Sequence, residues 1–416
     1  MRRLFSVSMP RAGHHVAEMV LSRLFGPRFA YCEFYTIRSC CKQIPCNRMA
    51  NWSDGGATVF MQKSHDHALT DPADPSFDGL LVQVREPVAR ALSNYELDLA
   101  TVGPAHSPAY MRLWLGFEAA YTVGFISKWC ITPDPRALIL KYEDLIADPV
   151  SYYRSIFERF SLPLEVFDEA KVLGARTVSS GNKKPFRERD IHGSAHFDID
   201  NLSDFQRLVA RDAAQIGYQP HAQLTRGGKS QAVALAFAAR TSLLQGKNDA
   251  ALRALEQYLA LPDAHIFARR MRAHVLLAMG DAAGAEAELA AVIAGEPKHP
   301  LAYVALADLQ RKRGELQAAK MTLERCLAEA KDPARASEAI LDAFSDPILT
   351  AAARNHAPKP AVTREDVIAA FRFILGREPE GDAVIEAHQH VDSTAALREI
   401  LLRSAEFAEK YRRLVG

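Results

Sequence analysis

Strand and helix patterns alternate in the first half of the chain. Residues 2–9 (RRLFSVSM) form a short run that predicts a buried strand, and VAEMVLSRLF, after the turn PRAGHH, has helical periodicity. The runs 58–63 and 80–85 predict two further strands. The helical run that follows has Pro87 just inside its start, where proline suits a helix. The pattern predicts an α/β fold with a parallel sheet flanked by helices.

The pattern changes near residue 225, after which the chain is rich in Ala and Leu. Four sets of residues recur there every 34 positions, namely Gly246, Gly280 and Gly314; Ala251, Ala285 and Ala319; Leu255, Leu289 and Leu323; and Ala239, Ala273 and Ala307. This period, with glycine at the turns and small residues where helices cross, indicates an all-α array of tetratricopeptide-like repeats. Three repeats are about the minimum for stability, so we expect the array to pack against a neighbour. It serves either as a groove for a protein partner or as a spacer.

A small helical unit follows the segment 356–360 (HAPKP). Thr363 and Asp366 predict a capping box, and Gly376 predicts the end of that helix. The runs AFRFILGREPEG and TAALREILLRSAEF resemble a small helical domain attached to bacterial enzymes that build surface glycans. The alternative is a pair of helices that caps the array. The predicted units are 1–222, 231–345 and 358–416.

Composition and charge exclude several classes of protein. With 48% hydrophobic and 24% charged residues, the 416-residue chain has ample material for a core. A net charge of +1 argues against a strongly basic nucleic-acid binder, so we expect any anion site to be local. We expect no membrane span and no secretory segment. The six cysteines, at positions 32, 40, 41, 46, 130 and 326, lack CxxC spacing, which favours small apolar fillers in a reduced, cytoplasmic protein over a redox or metal site.

Two of the predicted strand ends carry groups suited to an anion. The turn after the first strand places Gly13 before a helix, a geometry that aims backbone N–H groups at a phosphate. Arg11 adds a cation to that turn. Arg85 ends the third strand, and Ser93 lies eight residues later, about two turns along the helix. We expect Arg85 and Ser93 to converge on one anion.

These segments resemble the sulfotransferases that use 3'-phosphoadenosine 5'-phosphosulfate (PAPS). Four motifs match in the order of that family: P-[RK]-x-G-x-x at residues 10–15, K-[TS]-H at 63–65, R-x-P-x-x-x-x-x-S at 85–93, and YEDL with a following Asp-Pro at 142–149. The resemblance extends over residues 1–222. It implies the P-loop-like sheet of the sulfotransferase fold and PAPS as the sulfuryl donor.

The resemblance also implies which residues bind the donor. The turn at residues 10–15 would hold the 5'-phosphosulfate, and Arg85 with Ser93 the 3'-phosphate. The family has hydroxyl residues where this chain has His14 and His15, whose N–H groups can donate in their place. The family's late Arg-Lys-Gly loop is not reproduced, and the basic segment 183–189 stands in for it. The implied donor-binding residues are Arg11, Ala12, Gly13, His14, His15, Arg85, Ser93, Lys184 and Arg187.

By the same resemblance, Lys63 and His65 are the catalytic residues. A histidine with an ordinary pKa of about 6.5 is suited to take the proton of an acceptor hydroxyl. Lys63 and Arg11 would stabilise the charge that builds on oxygen during in-line transfer. No metal is required. The glycan-associated character of the tail favours a carbohydrate hydroxyl as the acceptor, and a protein or small-molecule acceptor stays open.

Two alternatives remain at the level of sequence. His14-His15 and His65-Asp66-His67 together suggest a metal site, which would make the protein a metal-dependent hydrolase. The cations Arg11 and Lys63 beside these histidines disfavour it, because they would repel a divalent cation. The other alternative is a catalytically inactive sulfotransferase-like scaffold that acts through its repeats.

Overall fold

Parallel strands form the centre of the first half of the chain. A computed structural model describes residues 1–33, 43–47, 49, 56–101, 103–174, 190–225, 229–344, 346–356, 362–389, 391, 394–402, 404, 406–407 and 409–410. The strands are β1 (Arg2–Ser8), β2 (Phe29–Glu33), β3 (Val59–Ser64), β4 (Gly79–Val84) and β5 (Ala137–Lys141). They lie in the order β2-β3-β1-β4-β5, and every neighbouring pair is parallel. The predicted parallel sheet is confirmed.

The strand order reverses at the central strand β1, which lies between β3 and β4. The chain therefore leaves β1 toward one side of the sheet for β2 and β3, and crosses to the other side for β4 and β5. In open parallel sheets, ligands bind at the carboxyl ends of the strands where the order reverses in this way. The polar segments that follow β1, β3 and β4 all lie at that edge, because parallel strands end on the same side.

Helices cover both faces of the sheet. They are α1 (His14–Phe25), α2 (Pro87–Thr101), α3 (Pro108–Ile126), α4 (Tyr142–Ala147), α5 (Pro149–Arg159), α6 (Glu169–Gly174) and α7 (Ile199–Gln215). Alternate strand residues face two different cores. Leu4 and Leu81 pack with α1 and α5, whereas Phe5 and Val82 pack with the end of α3. As predicted, α2 begins at Pro87.

Antiparallel helix pairs follow residue 230. They are α8 (Gln231–Leu244) with α9 (Asn248–Leu259), α10 (Ala268–Ala278) with α11 (Ala282–Gly295), α12 (Pro300–Lys312) with α13 (Leu316–Glu329), and α14 (Pro333–Ala343) with α15 (Pro347–His356). Gly246, Gly280 and Gly314 form the turns of the first three pairs with φ of 70°, 85° and 81°. The alanines and leucines that recur every 34 residues are all buried. The repeats are therefore confirmed, and the array continues beyond residue 345 because α15 packs on α13 and α14.

The array and the sheet unit share one hydrophobic core. A single cluster of buried side chains runs from Val88 in α2, through α3 and α7, to Ala353 in α15. Helix α3 packs along α8, and Gly116 permits the close approach, because a Cβ there would lie 2.5 Å from Cβ of Ala236. The neighbour that we expected the repeats to need is α3. The core thus crosses the boundary predicted at residues 222–231.

The tail has a separate core. Its helices are α16 (Arg364–Ala370), continued by a π-helical turn (Phe371–Leu375), then α17 (Asp382–Gln389) and α18 (Thr394–Leu402), and their apolar side chains form their own cluster. The predicted capping box of Thr363 and Asp366 is present. Gly376 ends the π-helical turn with φ of 64°, as predicted.

Two expectations from composition also have structural counterparts. Cys32, Cys46, Cys130 and Cys326 are buried, while Cys40 and Cys41 lie outside the described residues. Of the helices described here, none is both long enough and apolar enough to cross a membrane.

Candidate functional site at the carboxyl edge of the sheet

A glycine-containing turn joins β1 to α1, as predicted. β1 ends at Ser8, and α1 begins at His14. Gly13 precedes the helix with φ of 90°, and a Cβ at this position would lie 2.8 Å from Cδ2 of Tyr142. Glycine is therefore needed here both for its backbone conformation and for the close approach of Tyr142. A turn of this kind at the amino end of a helix suits phosphate binding.

Arg11, Arg85 and Ser93 meet beside this turn. Nε of Arg11 donates to Oγ of Ser93 over 3.1 Å, and Nη1 of Arg85 donates to the carbonyl oxygen of Arg11 over 3.0 Å. Arg85 is buried and lies over the ring of Tyr142, with Cζ 4.4 Å from the ring centroid. The structure therefore brings Arg85 and Ser93 together through Arg11. We call these three residues the basic cluster.

Glu86 and Glu143 hold the strand end that carries Arg85. The carboxylate of Glu86 accepts from the first-turn N–H groups of α2, those of Val88 and Ala89, over 2.9 and 2.6 Å. Glu143, in α4, accepts from the backbone N–H of Glu86 over 2.9 Å and from the hydroxyl of Tyr218 over 2.7 Å. Both glutamates thus have structural roles, and they fix the relative positions of β4, α2 and α4.

The ring of His65 is held in one tautomer. Nδ1 lies 2.7 Å from the carbonyl oxygen of Ser8, which can only accept, so Nδ1 carries the proton and Nε2 keeps its lone pair. Burial lowers the pKa of His65 well below 6.5, and the charge of Lys63 lowers it further. His65 is therefore neutral at pH 7, with Nε2 able to accept a proton.

The loop after β3 is fixed on both sides of His65. The hydroxyl of Tyr121 donates to the carbonyl oxygen of His65 over 2.5 Å. Asp66 is buried and accepts from Nζ of Lys128 over 2.6 Å and from Nε1 of Trp129 over 2.9 Å. These contacts preorganise the backbone that carries His65. They also engage Asp66, the carboxylate between the two histidines of the metal alternative.

Lys63 forms an ion pair at the same edge. It is 2% exposed, and its Nζ lies 2.5 Å from Oε1 of Glu33, the residue opposite it on β2. Ser6 is the residue opposite it on β1. The ammonium group thus lies on the sheet face that carries Ser6, and not toward bulk solvent.

His14 and His15 differ in their surroundings. His14 is buried, with Nδ1 3.0 Å from Oγ of Ser6 and Nε2 3.1 Å from the hydroxyl of Tyr31. Burial and the charge of Lys63 lower its pKa well below 6.5. His15 is exposed. A direct contact of either ring with the donor stays a prediction, and for His14 it would require exchange of one of these two hydrogen bonds.

Two of the predicted donor-binding residues and the metal alternative remain. Lys184 and Arg187 lie outside the described residues. Across the described part of the chain, no group of three or more His, Cys, Asp or Glu residues has an arrangement that could hold a metal ion. The metal-dependent alternative therefore gains no support from the geometry.

Several contacts of the site were not predicted from the sequence. They involve Ser6, Ser8, Tyr31, Glu33 and Tyr142. One signal was available: Ser6 and Ser8 are polar residues at alternate positions of a strand segment, residues 4–8, that is otherwise apolar, so they share one face. Polar side chains on one face near the carboxyl end of a buried strand indicate a polar site above that end.

Comparison with known proteins bears on the helical array. The family model of the tetratricopeptide repeat matches residues 276–340, from the end of α10 to α14. No curated protein matches the chain. The repeats are thus supported both by the family match and by the fold. The architecture of the sheet unit is shown by its strand order alone.

Proposed function

We propose that the protein is a sulfotransferase that moves the sulfuryl group of PAPS to an acceptor hydroxyl, on a carbohydrate. The observation that carries the proposal is the position of the basic cluster and His65 at one edge of the sheet, on either side of the turn at Gly13. The resemblance of residues 10–15, 63–65 and 85–93 to sulfotransferase motifs supports the same reading.

The donor suits the residues at this edge. The turn before α1 would receive the 5'-phosphosulfate, with Arg11 as the cation beside it. Arg85 and Ser93 would bind the 3'-phosphate through charge-assisted hydrogen bonds. A Cβ at Gly13 would displace Tyr142, on which Arg85 is stacked, so the turn and the arginine are coupled. PAPS supplies a sulfuryl group bonded to a good leaving group, and no metal is needed.

His65 and Lys63 would serve the transfer. Nε2 of His65 takes the proton of the acceptor hydroxyl as its oxygen forms the new bond to sulfur. The electron pair of the broken S–O bond stays on the phosphate, where Lys63 and Arg11 stabilise the charge. The Nδ1–H group keeps its hydrogen bond to the carbonyl oxygen of Ser8, which stabilises the imidazolium that forms.

Calorimetric titration tests the donor site. The probe is 3'-phosphoadenosine 5'-phosphate, with EDTA present. We expect micromolar binding by the wild type and roughly ten- to hundredfold weaker binding by Arg85→Ala. Arg85→Lys keeps the charge but loses the planar guanidinium that stacks on Tyr142, so we expect an intermediate affinity. Arg154→Ala is the matched control, because Arg154 also stacks on an aromatic ring, that of Phe167 at 4.9 Å, away from the site.

The titration also has outcomes that contradict the proposal. Absence of binding by the wild type would exclude a PAPS-dependent enzyme. Equal weakening by Arg85→Ala and Arg154→Ala would show that the basic cluster does not bind the nucleotide. Adenosine 5'-phosphate, which lacks the 3'-phosphate, separates the two halves of the site, since Arg85→Ala should weaken its binding less than that of 3'-phosphoadenosine 5'-phosphate.

The second candidate function is a protein-binding scaffold. The tetratricopeptide match at residues 276–340 favours it, because such repeats commonly bind protein segments. It predicts a stable fold with no affinity for 3'-phosphoadenosine 5'-phosphate, so the same titration distinguishes it from the enzyme.

A further inference from the structure

The backbone beside His65 is strained. Asp66 and Leu69 have φ of 44° and 58°, in the left-handed region that residues other than glycine adopt only uncommonly. The backbone N–H of Leu69 donates to the carbonyl oxygen of Asp66 over 2.9 Å, so the two residues belong to one tight turn. A turn of this kind costs free energy and persists only where the surrounding structure holds it. Residues 65–69 are called the His65 loop below.

Helix α3 holds the His65 loop on one side. The hydroxyl of Tyr121 donates to the carbonyl oxygen of His65 over 2.5 Å. Leu69 packs so closely on Gly124 that a Cβ at this glycine would overlap Cδ1 of the leucine. Both ends of the loop therefore lie against the same helix. The strained turn lies between these two contacts, which oppose its relaxation.

The helical array holds the same loop from a second element. Arg240, on α8, donates from Nη2 to the carbonyl oxygen of His67 over 3.0 Å. A charged donor makes a stronger hydrogen bond to a carbonyl oxygen than a neutral donor does. The position of α8 is itself fixed, because Gly116 lets α3 pack closely on α8 at Ala236. The contact of Arg240 therefore joins the loop to a helix that is packed in the shared core.

The side chain of His67 connects this contact to His65. The centroids of the two imidazole rings lie 5.5 Å apart, and the ring of Tyr121 lies 5.6 Å from that of His67. A rotation of the backbone at His67 would move its ring and thereby change the surroundings of His65. Arg240 opposes that rotation, because it holds the carbonyl group of His67.

We propose that Arg240 is a positioning residue for His65, so that the first helix of the array completes the site at the edge of the sheet. The role of His65 as the base rests on the proposed sulfotransferase function, whereas the fixation of the loop does not. Nε2 takes a proton only from a hydroxyl within hydrogen-bond reach, and a displacement of about 1 Å can cost about a hundredfold in rate. The array then has a role other than spacer or protein groove.

Amide hydrogen exchange of the full-length chain tests the contact. The backbone N–H groups of Asp66, Leu69 and Asp71 donate to oxygen atoms within residues 64–66, so their exchange reports the opening of the loop. We expect these amides to exchange at least about tenfold faster in Arg240→Met, which keeps an unbranched stem without the donor, than in the wild type. Arg240→Lys keeps a charged donor and should give an intermediate rate.

Arg159→Met is the matched control. Nη2 of Arg159 also donates to a backbone carbonyl oxygen, that of Pro135, which precedes β5 at the opposite edge of the sheet. This variant should leave the exchange of the His65 loop as it is in the wild type. Faster exchange throughout α8 and α9 in Arg240→Met would show a general loss of stability in the array, and it would contradict the proposal.

Two further measurements report on His65 itself. NMR of its ring nitrogens should show the Nδ1–H tautomer alone in the wild type and both tautomers in Arg240→Met. Release of sulfate from PAPS, with water as the acceptor, should be at least about tenfold slower in Arg240→Met. In this step the water oxygen bonds to sulfur, its proton goes to Nε2, and the broken S–O bond leaves its electron pair on the phosphate. The affinity for 3'-phosphoadenosine 5'-phosphate should stay within about twofold of the wild type, because the basic cluster is unaltered.

Three results in Arg240→Met would overturn the positioning role. They are unchanged exchange of the His65 loop, unchanged ring signals of His65, and release of sulfate at the rate of the wild type. Absence of both sulfate release and nucleotide binding in the wild type would contradict the proposed function alone. The loop exchange and the ring signals would then decide whether Arg240 positions His65.

Discussion

Lys63 and Glu33 face each other across β3 and β2, with Nζ and Oε1 2.5 Å apart and the lysine almost fully buried. The glutamate side chain keeps 27% of its exposure. The pair thus holds a desolvated ammonium group at the carboxyl edge of the sheet, next to the turn that precedes α1. Its removal affects both the fold and the electrostatics of the site.

Glu33→Gln should destabilise the protein. The substitution leaves the ammonium group of Lys63 buried without its counter-charge, and we expect a loss of about 2–3 kcal/mol in the free energy of unfolding, at the low end for a buried pair because Glu33 is partly exposed. Urea unfolding measures it. Glu169→Gln, which breaks the exposed pair with Arg154, should cost less than about 0.5 kcal/mol. A similar cost for the two variants would contradict the buried pair.

The His65 imidazole should titrate below its ordinary range. Its pKa is lowered by burial and then by Lys63, so the ring stays neutral as pH falls through about 6.5. The double variant Lys63→Met/Glu33→Gln removes the charge of Lys63 together with that of Glu33, and it should raise the pKa of His65. NMR titration of the ring signals reports the value directly. A pKa at 6.5 in the wild type, or no change in the double variant, would refute the assignment.

The stability of the fold should fall in mild acid. His14 has a pKa lowered by burial and by Lys63, so the unfolded chain binds a proton below about pH 6.5 that the folded chain does not. Stability is therefore complete above that pH and decreases as pH falls below it. His14→Gln should make the decrease shallower in urea unfolding measured at several pH values. An unchanged slope would mean that His14 titrates normally in the folded state.

Gly13→Ala should disrupt the turn and the basic cluster together. The new Cβ needs φ near 90° and meets Tyr142 at 2.8 Å, so we expect about 1–3 kcal/mol of destabilisation and loss of nucleotide affinity as Arg85 moves with the ring. Gly174→Ala is the control, because a Cβ there meets no described atom within 4 Å. Calorimetry with 3'-phosphoadenosine 5'-phosphate and thermal unfolding are the two measurements, and unchanged affinity in Gly13→Ala would contradict the coupling.

Gly116→Val should lower the stability of the sheet unit and of the array together. The added side chain separates α3 from α8, which we expect to cost about 1–3 kcal/mol. Because one core runs through both parts, differential scanning calorimetry should show a single transition for them that shifts as a whole. If the variant splits this transition in two, or shifts only the part due to the array, the shared core does not couple them.

The elements that the sequence predicted correctly are those with a pattern within their own residues. Short, largely apolar runs predicted β1, β3 and β4, and the 34-residue period predicted the helix pairs and their glycine turns. The edge strand β2 was missed because its apolar run, residues 29–32, is only four residues long and closely follows a helical pattern. The contacts of Lys63 and His14 were missed with it, since Glu33 and Tyr31 lie on that strand. The α3–α8 junction joins residues about 120 positions apart, a contact that neither periodicity nor composition encodes.

The array is attached to the sheet unit at one end, through the packing of α8 on α3, so the number of its helix pairs can change at the other end. The first pair is fixed by α8 on α3, while each later pair contacts mainly the pair before it. A helix pair added or lost at the far end would therefore alter the length of the array, while the position of its first pair relative to the sheet edge would stay the same.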